Sequence, residues 1–197
     1  MKTIELVGHS RSGLGKSDSK SLRKSGKIPC VVYGTGDTHH FSTEPLAVRD
    51  LIYTDEFRKA KIQLDNTTIE CIVKDVQYDS VSDKIMHIDF QALITGQAVK
   101  VNLPIKLQGT SEGQKVGGTL VQKMRKLLVI AKPEVLTEYL SVDISSLELG
   151  KSLRARDISL PEGMVPITNG SIPVATIDIP RALRSAQTKA ATDGKKK

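Results

Sequence analysis

The residues between Gly15 and Gly34 read GKSDSKSLRKSGKIPCVVYG, and their cations are spaced to meet a polyanion. On a helix over residues 17–25, capped by Ser17 or Asp18, the side chains of Lys16, Lys20, Arg23 and Lys27 follow the i, i+4, i+7, i+11 spacing that ordinarily makes a buried apolar stripe. Here that stripe is cationic, and Leu22 is the only large apolar side chain in the basic stretch to pin it to a body. Phosphate is the ligand such a face suits. A second group lies downstream in KIMHIDF, where Ile85, His87 and Asp89 alternate with Met86, Ile88 and Phe90. On a strand His87 and Asp89 share one face, a donor and an acceptor side by side within reach of base edges. Gln77, in DVQYD, is a further base-edge reader.

Other chemistries fail on spacing. The segment Gly8–Ser17, GHSRSGLGKS, ends like a phosphate-cradling loop, but Ser10 stands where the first glycine of G-x-x-x-x-G-K-[ST] must be, and no long helix follows. The nucleophile elbow G-x-S-x-G fails too, because Ser12 occupies its last glycine position. His9, His39, His40 and His87 form no helix-face pair with an acid, and Cys30 and Cys71 have no neighbouring ligand, so no metal site and no cofactor are expected. His39 and His40 read as a strand start or a loop. Asp83 and Asp89 carry no weight as a general acid and base, since any chain with 22 acidic residues contains such pairs.

Charge is concentrated rather than spread. The 197 residues carry +7, yet His9–Gly34 holds six Lys or Arg against Asp18, and Arg181–Lys197 holds six against Asp193. Together these segments contribute +10, so the rest of the chain sums to −3 and is a mildly acidic body with two basic appendages. Aromatic content of 4% without Trp argues against single-strand binding on stacked rings and favours structured RNA or duplex. No apolar run approaches the 18 residues of a membrane span, and MKTIELVGHS lacks the apolar core of a secretory leader. Two isolated cysteines in apolar surroundings read as small core side chains in a reducing, cytoplasmic compartment.

The elements that must carry these groups are mostly strands. Ile28–Tyr33 is a short apolar strand; Lys61–Leu64 and Ile69–Val73 read as hairpin arms around a turn at Asp65–Thr68; PLAVRDLIY, Pro45–Tyr53, is a helix with proline in its first turn. Beyond Ala92 the texture changes. Val99, Val101, Leu103, Ile105 and Leu107 alternate with polar residues and Pro104, which favours a sheet edge. Leu127–Ala131, Tyr139–Ile144 and Pro173–Ile179 are further strands, between turn-rich stretches at Gly109–Gly118 and Pro161–Gly170. The fold class is mainly β, with few short helices. Residues 1–95 and 96–180 are expected to be separate domains, the second all-β, and 181–197 a disordered basic tail.

GKSDSKSLRKSGKIPCVVYG followed by DVQYDSVSDKIMHIDF resembles the bacterial large-subunit ribosomal protein family, number twenty-five of that subunit, that binds 5S ribosomal RNA and includes general stress protein CTC. VKVNLPIKLQG, Gly117 and Gly118 with Leu120, VDISSLELGKSL, DISLPEGM and PVATIDIP follow the order of its long form, so the resemblance covers residues 1–180. It implies an N-terminal β-barrel whose basic segment and adjacent strands engage an irregular internal loop and flanking helix of 5S RNA from the minor-groove side. On the matching positions Arg11, Lys16, Ser19, Lys20, Arg23, Tyr33, Gln77, His87 and Asp89 are the expected RNA contacts. Lys16, Lys20 and Arg23 would anchor phosphates, Ser19 and Tyr33 would give hydroxyl bonds, and Gln77, His87 and Asp89 would test bases or 2′-hydroxyls. Ser17 replaces a usual glycine, Ser21 one of two adjacent basic residues, and Ser80 a common proline. The expected role is a structural, non-catalytic component of the large ribosomal subunit that meets neighbouring ribosomal proteins through its C-terminal domain. An anticodon-type β-barrel module binding tRNA is the alternative within that fold, and a phosphate-loop nucleotide-binding enzyme is the rival from another class.

Overall fold

The computed structural model describes residues 1–64 and 67–181. Strands dominate, and the described residues divide into two compact units: Met1–Val101 with Ile130–Glu138, and Asn102–Val129 with 139–181. In the first unit β1 (Thr3–Ser10), β2 (Ile28–Tyr33), β3 (His39–Thr43), β4 (Lys59–Leu64), β5 (Thr67–Tyr78) and β6 (Ile85–Ala92) form a closed barrel in the order β1-β3-β2-β6-β5-β4. Parallel pairing of β1 with β4, Leu6 opposite Ile62, closes it and leaves no exposed edge. The alternation of β6 acts as the sequence predicts: Ile88, Phe90 and Ala92 are buried, while His87, Asp89 and Gln91 are half-exposed. Phe41 and Phe90 meet in the core with ring centroids 5.8 Å apart. Gly8 makes that contact possible, since a Cβ there would lie 2.6 Å from both Phe41 Cδ2 and Leu64 Cδ2. Cys30 and Cys71 are fully buried free thiols in the same core.

Two helices flank the barrel. α1 (Lys16–Lys24) begins one residue earlier than expected, and its cap is Gly15, without a side-chain bond, rather than Ser17 or Asp18. Asp18 still sits in the first turn and Arg23 and Lys24 in the last, each complementing the helix dipole. Its end is a paired backbone closure, Gly26 N–H donating to Arg23 and Lys27 N–H to Leu22, which requires the positive φ of Gly26, 80°. Leu22 is only half-buried. α2 (Pro45–Ile52) buries Val48 and Leu51 and ends at Tyr53. Thr67 and Thr68, expected in a turn, already belong to β5; the expected turn residues Asp65 and Asn66 lie outside the described residues, as does the expected disordered tail from residue 182.

The remaining strands are β7 (Val99–Gln108), β8 (Thr119–Gln122), β9 (Lys126–Ala131), β10 (Leu140–Asp143), β11 (Ser152–Arg154), β12 (Met164–Pro166) and β13 (Pro173–Asp178), with a short α3 (Glu112–Lys115). They form two sheets, β10-β7-β9-β12 and β11-β13-β8. Pro104 is therefore buried on an interior strand, not at an edge. Ile105 N–H donates to Arg125, so the neighbouring nitrogen of Pro104 faces the β10 side, one residue before β10 pairing starts at Leu140 opposite Ile105. Its missing donor is harmless there. The turn-rich stretch after β7 holds α3, whose capping box joins Ser111 Oγ to the Gln114 backbone and the Gln114 side chain to Ser111 N.

Candidate nucleic-acid interface

The outer face of the barrel wall is set by register. Val31 on β2 lies opposite His40 on β3 and Asp89 on β6, Asp89 lies opposite Asp75 on β5, and His87 lies opposite Gln77. A depression of about 410 Å³ opens here, lined by Arg11, Leu14, Val31, His40, Gln77, His87 and Asp89. Four expected contact residues from three separate stretches of chain thus converge: Arg11, Gln77, His87 and Asp89. Ser19 joins them from α1, since Arg11 Nη1 donates to Ser19 Oγ at 3.3 Å. Tyr33 lies at the end of β2, opposite Gln91 on the next strand. Lys20 and Arg23 are elsewhere, on a groove between α1, α2 and the β5–β6 turn. Lys16 is exposed at the start of α1, and the departures Ser17 and Ser21 are exposed on the same helix.

His87 Nδ1 lies 2.7 Å from Asp89 Oδ1, so the imidazole is paired with the carboxylate two residues along its own strand. Arg11 Nε and Gln91 Oε1 are buried polar atoms with no protein hydrogen-bond partner. Gln91 and His40 were not singled out from sequence. The alternation that placed His87 and Asp89 extends to Gln91, and His40 is the outward neighbour of buried Phe41, signals that could have found both.

The wall is not a simple cationic patch. Asp75 and Asp89 face each other across the strands, and their carboxylates repel phosphate while accepting N–H and O–H donors. Burial first, then the charges of Asp89 and Asp75, push the Tyr33 phenol above its ordinary value, which keeps it a neutral O–H donor. α1 thus carries most of the cations, while the wall sets Arg11 beside the Asp89 carboxylate. Among the described residues no cluster of three His, Cys, Asp or Glu is placed to hold a metal, and no helix is long and apolar enough to cross a membrane.

Two described domain families match the chain. The Ribosomal L25p family matches residues 6–90, and the C-terminal domain of ribosomal protein TL5 matches residues 98–181, which together define a two-domain ribosomal protein. Proteins called large ribosomal subunit protein bL25 align along nearly the whole chain. That of Cytophaga hutchinsonii is 39% identical, covering 97% of this chain and 99% of its own length. That of Amoebophilus asiaticus is 36% identical over the full length of both, and that of Bacteroides thetaiotaomicron is 35% identical over 94% of this chain and 97% of its own. The chain belongs to the bacterial bL25 family, structural proteins of the large ribosomal subunit and not enzymes.

Proposed function

We propose that this protein binds 5S ribosomal RNA within the large ribosomal subunit, with α1 holding phosphates and the barrel wall testing base edges and 2′-hydroxyls. The observation that carries the reading is the convergence of Arg11, Gln77, His87 and Asp89 in one depression, with a buried Arg11 Nε that has no protein partner. A carboxylate pair is a poor neighbour for phosphate, so the backbone would run along Lys16, Lys20 and Arg23 while the wall meets the groove of the RNA. Ser19, Arg11 and Tyr33 would join the two regions through hydroxyl and guanidinium bonds. Residues 1–95 would carry recognition, and residues 96–180 would serve neighbouring ribosomal proteins. The test is specificity. His87→Ala should lower the preference for 5S RNA over a generic duplex, whereas Arg23→Ala should weaken both. An unchanged preference after His87→Ala would assign the wall a purely structural role.

A further inference from the structure

The groove between α1, α2 and the β5–β6 turn carries more than phosphate chemistry. Its volume is about 680 Å³, and it shares no lining residue with the depression on the barrel wall. Leu46 is 78% exposed and Tyr53 61% exposed. α2 already buries Val48 and Leu51 toward the barrel, so its Leu46, Arg49 and Tyr53 face is surplus to folding. Ile85 and Met86, half-buried on β6, add to the apolar floor.

Around that floor stand Lys24, Lys27, Arg49 and Lys84, besides Lys20 and Arg23 of α1. Two acids also line the groove, Asp79 and Asp83. The Asp79 carboxylate is committed to its own turn, accepting from Val81 N, Ser82 N and Ser82 Oγ at 3.0, 2.9 and 3.1 Å. The rim is thus strongly positive over an aliphatic floor. A sugar-phosphate backbone would satisfy the rim and leave Leu46 uncovered, because it offers no aliphatic surface. An acidic chain with apolar side chains on one face satisfies both.

We propose that this groove docks an acidic, amphipathic segment of a protein partner, its Leu, Ile or Phe side chains covering Leu46 and Tyr53 and its carboxylates meeting Lys24, Lys27, Arg49 and Lys84. The inference stands whether or not 5S RNA is the ligand of the barrel wall. The test is selection of random displayed peptides of roughly 15 residues, long enough for i, i+4, i+7 anchors, on the full chain. Enriched peptides, titrated by fluorescence anisotropy, should be acidic with apolar residues at that period. Leu46→Gln and, separately, Arg49→Gln should each weaken their binding by about tenfold or more, with thermal unfolding unchanged and, for the charge-conserving Leu46→Gln, affinity for 5S RNA unaltered. Failure of any peptide to enrich, enrichment of neutral or basic peptides, or indifference to both substitutions would overturn the proposal. So would an equal loss of RNA binding in Leu46→Gln, which would assign the groove to RNA, or Leu46-dependent binding to phosphatidylserine vesicles, which would assign it to a lipid surface.

Discussion

If α1 anchors phosphates, affinity for 5S RNA must fall steeply with salt, and the steepness counts the cations engaged. Each neutralised phosphate contributes about −0.9 to the slope of log K against log salt on a duplex. Arg11, Lys16, Lys20 and Arg23 give a slope of about −3.6 if each meets one phosphate. Were Lys24 and Lys27 engaged as well, it would be about −5.4. Lys20, Arg23, Lys24 and Lys27 all line the same groove, so the measured slope decides between these cases. The assay is binding of the chain ending at Pro180, which removes the tail's cations, to isolated 5S RNA at several salt concentrations. Arg23→Ala should flatten the slope by about one phosphate and cost roughly 1–3 kcal/mol, while Lys27→Ala should leave the slope unchanged. A wild-type slope near zero, or equal flattening by both substitutions, would refute the assignment of phosphate contact to Arg11, Lys16, Lys20 and Arg23 alone.

Gly118→Ala should destabilise the second unit by roughly 1–3 kcal/mol, read in urea unfolding, because its Cβ would lie against Ile177 and within 2.6 Å of Leu149 Cδ1 and 2.7 Å of the Gly113 carbonyl oxygen. Burial pushes the Cys30 thiol up to about 12 and the Cys71 thiol further still. Neither should react with a disulfide reagent in the native state at pH 8, and both should react once unfolded. The same shift sets a pH dependence: solvated thiols ionise near 9, so stability should be flat below that and fall as pH rises from 9 toward 12, by a little over 1 kcal/mol per pH unit per thiol. A fragment of residues 1–95 should retain 5S RNA affinity within about tenfold of the two-domain chain, near 1.4 kcal/mol; a larger loss would give the rest of the chain a share in recognition.

What could be read from sequence was whatever a local period encodes. Alternation in KIMHIDF put His87 and Asp89 on one face because strand geometry alone decides that, and the helical spacing of Lys16, Lys20 and Arg23 did the same for α1. The side on which those cations end was not legible, since it depends on where α2 and the β5–β6 turn pack. The edge assignment of Pro104 failed because a missing N–H matters only toward a neighbour, and β10 begins just past it. β1 is hard to read from sequence although Ile4, Leu6 and Gly8 alternate with Thr3, Glu5 and Val7, because Val7, 62% exposed, blurs the polar face. The convergence of Arg11, His40 and Gln77 on the wall is a matter of strand order, which no single segment carries.

The stretch Ile130–Glu138 belongs to the first compact unit although the chain has left it at Val101. Glu138 accepts from Lys2 N at 2.7 Å and from Phe57 N through its carbonyl at 2.9 Å, and Pro133 accepts from Lys59 Nζ at 3.3 Å. During synthesis the barrel strands are therefore made well before their last partners. At ~5–20 residues per second, the 37 positions from Val101 to Glu138 take ~2–7 s, an interval in which the amino terminus waits for its carboxylate. Any nascent barrel released or degraded in that window does so without these tethers, so the order of emergence, as much as the order of strands, determines when this unit becomes complete.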